Sequence, residues 1–112
     1  MKRPFYDLTV GEKTYNFKLT AKAITGIEAK INGNFAIAIA EPASMTFIAL
    51  VIEAAAKESH PEFTMVDAQN LIDEYLDNDQ HSYMDLVGEF KKILDTSGFF
   101  KKQASQAETK AE

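Results

Sequence analysis

Cysteine is missing altogether from this 112-residue chain, which excludes disulfides and thiolate metal sites and leaves the redox compartment open. Long apolar runs are missing too. The most apolar stretch, Met45 to Ala56, is too short to cross a bilayer and carries Glu53. The opening residues Met1-Lys2-Arg3-Pro4 lead into Phe5-Tyr6-Asp7 and not into an apolar signal segment. Together these absences predict a soluble intracellular protein. Basic charge is also scarce: 12 Lys and Arg stand against 17 Asp and Glu, a formal net charge of −5. With a sequence pI near 5.0, that balance argues against a nucleic-acid binder, which needs a basic face for the phosphate backbone. The pairs Lys91-Lys92 and Lys101-Lys102 are too small to reverse it.

Motifs that carry chemistry are scarce as well. The two histidines, His60 and His81, fall in expected loops, with no H-E-x-x-H and no Cys/His cluster to complete a zinc site. They read as solvent-facing or helix-boundary residues. No serine sits in a G-x-S-x-G elbow, and Ser44, Thr64 and Ser82 are already placed as helix caps. An EF-hand begun at Asp77 puts Ser82 where the turn glycine belongs and Gly88 where the bidentate glutamate belongs, so both defining positions fail. Gly26 and Gly33 are isolated, and no G-K-[ST] follows either. No catalytic residue, cofactor or metal site is assigned, and the chain reads as a non-enzyme.

What is present is a patterned domain. At 12.5 kDa the chain has the size of one domain and is long enough to bury about two-thirds of its unfolded surface. Phe5 to Val10 and Tyr15 to Leu19 read as two strands of a hairpin. Tyr15, Phe17 and Leu19 alternate with Asn16 and Lys18, the period of a half-buried strand. Gly11-Glu12-Lys13 lies between them without an Asn-Gly signature, which predicts a short loop in place of a two-residue turn.

Thr20 is placed to cap a first helix that runs to Ile31 and stops at Asn32-Gly33. Ile24, Ile27 and Ile31 mark its buried stripe, with Glu28 outward or at an edge. Phe35, Ile37 and Ile39 alternate as in a strand, yet the intervening alanines favour a short helix or turn ending before Pro42. Ser44 caps a helix from Met45 to about Lys57 that is apolar nearly all round, which predicts a central core helix. Thr64 with Asp67, and Ser82 with Asp85, repeat a capping-box arrangement ahead of two further helices. In the last helix Leu86, Val87, Phe90, Ile93 and Leu94 recur at three- and four-residue spacing, and Ser97-Gly98 ends it.

Two adjacent phenylalanines, Phe99 and Phe100, then precede a polar stretch with no large apolar residue from Gln103 onward. Apolar side chains at that edge either fold back on the helix end or are covered by another molecule. The expected architecture is therefore α+β and mainly α: a single domain over residues 1–100, with a hairpin at about 5–19 and four or five helices at about 20–98. Residues 101–112 are expected to form a disordered polar tail. Phe35, Ile37, Ile39, Phe99 and Phe100 are the candidate partner-binding residues.

The order of a hairpin, Leu19-Thr20-Ala21-Lys22-Ala23-Ile24, Ile27-Glu28-Ala29-Lys30-Ile31-Asn32-Gly33-Asn34, an apolar helix and Ser97-Gly98-Phe99-Phe100-Lys101-Lys102 resembles the tail assembly chaperones of long-tailed bacteriophages and prophages, particularly those of Gram-positive hosts. The resemblance covers residues 5 to 102 and holds no catalytic signature. It implies a protein that binds the long helical tape measure protein, keeps it soluble and helps recruit tail tube subunits. It further implies action in the host cytoplasm, absence from the finished virion, and in many relatives a longer frameshift product that contacts the tube protein. Self-association along one tape measure is a related expectation, with neither nucleic acid nor membrane as partner. A small acidic adaptor or regulator is the competing interpretation of the same residues.

Overall fold

In a computed structural model, residues 4–40, 44–78 and 81–98 are described. Strands β1 (Tyr6–Val10) and β2 (Lys13–Phe17) pair antiparallel, in register from Tyr6 opposite Phe17 to Val10 opposite Lys13. Only Gly11 and Glu12 lie between them, so the turn is two residues long and not the longer loop expected. Gly11 has φ of 64° while Glu12 is not in the positive-φ region, the sign pattern of a type II′ turn. A glycine at the first central position supplies what an Asn-Gly pair would otherwise supply. Val10 and Phe17 are buried, and Tyr6, Leu8 and Tyr15 pack on the core from the same side.

Among the described residues five helices follow: α1 (Ala21–Ile31), α2 (Phe35–Ala40), α3 (Met45–Ala56), α4 (Met65–Asp77) and α5 (Tyr83–Ser97). The fold is α+β and mainly helical, as expected. Thr20 accepts from Ala23 N at 3.0 Å, and α1 stops at Asn32, whose φ of 55° lies in the left-handed region. Ser44 caps α3 through Phe47 N. Thr64–Asp67 and Ser82–Asp85 both form complete capping boxes. Gly98 ends α5 with φ of 84°.

The ambiguous stretch after α1 is helical because its first N–H groups find acceptors. Asn34 Oδ1 accepts from Ala36 N at 2.8 Å and Ile37 N at 3.2 Å. Glu28 Oε2 accepts from Phe35 N at 2.7 Å. Glu28, expected to face outward or near an edge, is half-buried and reaches the start of α2, which it joins to α1. A carboxylate there also suits the positive end of a helix. The expected stop before Pro42 falls at residues 41–43, outside the described residues, as does the tail beyond Gly98.

Helix α3 occupies the centre, in contact with α1, β2, α4 and α5. Its residues Ile48, Val51, Ala55 and Ala56 are fully buried, which explains the lack of a polar face. A row of rings ties three helices together: Phe35 lies 5.8 Å from Phe47, and Phe47 lies 5.9 Å from Phe90. Each such ring contributes about 1.5–3 kcal/mol by leaving water. At the other end of α3, Lys18 N donates to Ala55 O at 3.0 Å, which fixes the hairpin to the helix. Leu19 N donates to Ser97 Oγ at 2.9 Å, so the end of α5 is held against the residue that leads into α1.

Candidate partner-binding surface

The five residues singled out from the sequence part company in the structure. Phe35 is 2 % exposed and wedged against Phe47, so it belongs to the core and offers no contact surface. Ile39 is half-buried against that core. Ile37, on the opposite side of the short helix, is 72 % exposed. Period-two alternation would set all three on one face of a strand; the segment is the short helix that its alanines favour, which turns about 100° per residue and scatters them. Phe99 and Phe100 lie outside the described residues.

Exposed apolar side chains also occur at positions that no motif singled out. Val66 on α4 is 60 % exposed and Met84 on α5 is 70 % exposed. Such residues singly are normal on a folded surface, and a binding site needs shape as well. Shape is found between α1 and α3. An open groove of about 370 Å³ runs there, floored by Ala23, Gly26, Ile27, Leu50 and Ala54. That volume lies within the range of about 300–1,000 Å³ common for ligand clefts. A second, of about 300 Å³, lies between α3 and α4 and carries Met45, Met65, Ile72 and Leu76.

The first groove has a charged wall. Glu53 on α3 is buried at 7 % exposure, yet both of its oxygens are paired. Lys30 Nζ, from α1, lies 3.3 Å from Oε1, and Lys57 Nζ, one turn along α3, lies 3.5 Å from Oε2. The two lysine side chains remain about half exposed, at 58 % and 48 %. This arrangement follows from local sequence: Glu53 and Lys57 share one helix face at i,i+4 spacing, and Lys30 sits in the last turn of α1. Lys22 stands on the same rim toward the start of α1.

A different polar cluster joins β1, α4 and α5. Tyr6 Oη donates to Glu89 Oε1, and Tyr75 Oη donates to Glu89 Oε2 at 3.3 Å. Burial, followed by the Glu89 carboxylate, raises both phenols; Tyr75 is pushed up to about 12, and Tyr6 goes further in the same direction. These phenols are held protonated, as hydrogen-bond donors and not as bases. The His81 ring stacks on Tyr75 with centroids 4.1 Å apart, and its Nδ1 lies 3.0 Å from Tyr75 O. His60 sits among Tyr15 and Phe63, just beyond α3. Sequence reasoning passed over the Tyr6–Glu89–Tyr75 contact because its partners are separated by up to 83 positions.

Among the described residues, no group of three or more His, Cys, Asp or Glu is arranged to hold a metal ion. No described helix is long and apolar enough to cross a membrane. Compared with protein-family models, with curated proteins and with solved structures, the chain gives no match.

Proposed function

We propose that this chain is a tail assembly chaperone of a long-tailed bacteriophage or prophage. It binds the tape measure protein in the host cytoplasm, keeps it soluble, and helps bring tail tube subunits to it, directly or through a longer frameshift product. It is not retained in the finished virion. The observation that carries this reading is the combination of an open apolar groove between α1 and α3 with exposed apolar side chains such as Ile37 on a helical, acidic domain. A holdase for an elongated helical client needs apolar surface for client helices and enough charge to stay dissolved. The hairpin-then-helices order and the residues from Leu19 to Asn34 support the same assignment.

The test is co-expression with the tape measure protein encoded nearby, followed by a pull-down from the soluble fraction. The expected result is a tape measure protein that becomes soluble and co-purifies only when this chain is present. An insoluble tape measure and no complex, with both this chain and any frameshift product, would overturn the proposal.

A further inference from the structure

We propose that the groove between α1 and α3 is the client site, and that its occupant is one amphipathic helix of the partner with a small apolar seam flanked by acidic side chains. The inference rests on the binding role proposed above and adds a place and a chemistry to it.

The first support is Gly26. A glycine in a helix interior is destabilising relative to alanine, so its presence asks for a reason. Backbone conformation is not the reason, because Gly26 is absent from the positive-φ residues. Internal packing is not the reason either, because a Cβ placed there would meet nothing within 4 Å. The open space above it is the floor of the groove. Gly88 in α5 has similar open space but does not line this groove. With Ala23 and Ala54 beside it, Gly26 lets a foreign backbone approach closely and bring its own side chains to Ile27 and Leu50.

The second support is charge. Lys22, Lys30 and Lys57 stand on the rim against Glu53 and Glu58, a local excess of positive charge on a chain whose total is −5. Lys30 and Lys57 are already turned inward by Glu53, which holds their ammonium groups along the edge of an apolar floor. Acidic side chains on either flank of a docked helix would face these lysines, whereas a basic helix would be repelled. The apolar floor separates this groove from a phosphate-binding surface.

The third support is length. The groove follows α1 from Thr20 to Lys30, which is about 15 Å at 1.5 Å per residue and matches roughly three turns of a docked helix.

The probe is a fluorescent helical peptide of about 18 residues, or about 27 Å. It carries Ala and Leu at i, i+3, i+4 and i+7 with Glu on both flanks; a matched peptide carries Lys there. Anisotropy with the full chain should detect binding of the Glu-flanked peptide, weakened at least about tenfold by Lys flanks and reduced again in about 0.5 M salt. Gly26→Leu places a side chain over the floor from a position where its Cβ meets nothing within 4 Å, and should weaken binding at least about tenfold. Its melting temperature should be unchanged or higher, since leucine is the better helix former.

Equal binding of both peptides, or binding untouched by Gly26→Leu, would overturn the proposal. So would binding that appears only in the full-length F99S/F100S variant, which would make the segment after Gly98 the occupant. Concentration-dependent self-association abolished by Gly26→Leu would name a second copy as the occupant and also sink it. The two readings fail separately. If the tape measure protein co-purifies equally well with Gly26→Leu, the chaperone role stands and the groove assignment falls. If the peptide binds as expected but no tape measure is captured, the groove stands and the client is another protein.

Discussion

Replacing Ser97 with alanine tests whether the end of α5 holds the start of α1 in place. Ser97 is 1 % exposed and Leu19 is fully buried. The Ser97 hydroxyl accepts from Leu19 N at 2.9 Å and donates to Ile93 O at 2.8 Å, so one side chain connects two segments 78 positions apart. Alanine removes the acceptor and leaves the Leu19 N–H buried without it, which costs about 1–3 kcal/mol. A partial offset comes from helix propensity, where alanine is better than serine by up to about 0.5 kcal/mol. The net expectation is a loss of about 0.5–2.5 kcal/mol, or about 3–15 °C in melting temperature for a domain of this size. Urea unfolding should show a lower midpoint with an unchanged slope, since the exposed area on unfolding is the same. Exchange of the Leu19 amide should accelerate in parallel. A stability change below about 0.3 kcal/mol would refute the reasoning, because a buried amide that loses its acceptor does not come free.

Two further perturbations address the other long-range contacts. Tyr6 and Tyr75 have phenol pKa values raised in the folded chain above the usual 10, by burial and then by Glu89. The folded state therefore holds these protons more tightly, and their contribution is fully present below pH 10 and lost as pH rises toward 12. Alkaline unfolding followed by circular dichroism should show that loss, and Tyr75→Phe should make the profile shallower between pH 10 and 12; an unchanged profile would contradict the assignment. Glu28→Ala removes the carboxylate that accepts from Phe35 N. The expected cost is about 0.5–2 kcal/mol, as for other lost caps, with faster exchange at the Phe35 amide as the local readout.

Local chemistry made most of the fold legible in advance. Thr20, Ser44, Thr64 and Ser82 each cap the helix expected of them, and Asn32 and Gly98 end theirs in the left-handed region. These signals act over three or four residues, so the residues themselves carry them. The hairpin turn was misjudged because Gly-Glu is a less familiar two-residue turn than Asn-Gly, although a type II′ turn with glycine first suits the strand twist as a type I′ Asn-Gly turn does. The capping role of Glu28 went unseen for a different reason. Its role depends on where the next helix begins, seven residues on, and helix periodicity says nothing about a side chain that leaves its own helix to cap another. The Ser97–Leu19 and Tyr6–Glu89 contacts close over 78 and 83 positions, and no pattern within one element encodes them.

The binding surface was harder to find, because apolar character alone does not separate core from contact. Phe35, Ile37 and Ile39 looked equivalent in sequence, yet they range from buried to 72 % exposed within one short helix. Phe47, Ile48 and Val51 are as apolar as any contact surface and are wholly committed to the interior of α3. Hydrophobicity alone ranks such residues above the ones that shape the groove. Glycine, alanine and lysine shape it, and none of these types reads as sticky. The available signal was negative: Gly26 interrupts α1 where neither a turn nor a tight internal contact requires it. Gly88 in α5 has similar open space, and what separates Gly26 from it is its place on the groove floor beside Ala23 and Ala54. At Gly26 that space opens between Lys22, Lys30 and Lys57, and the charge of whatever fills it follows from theirs.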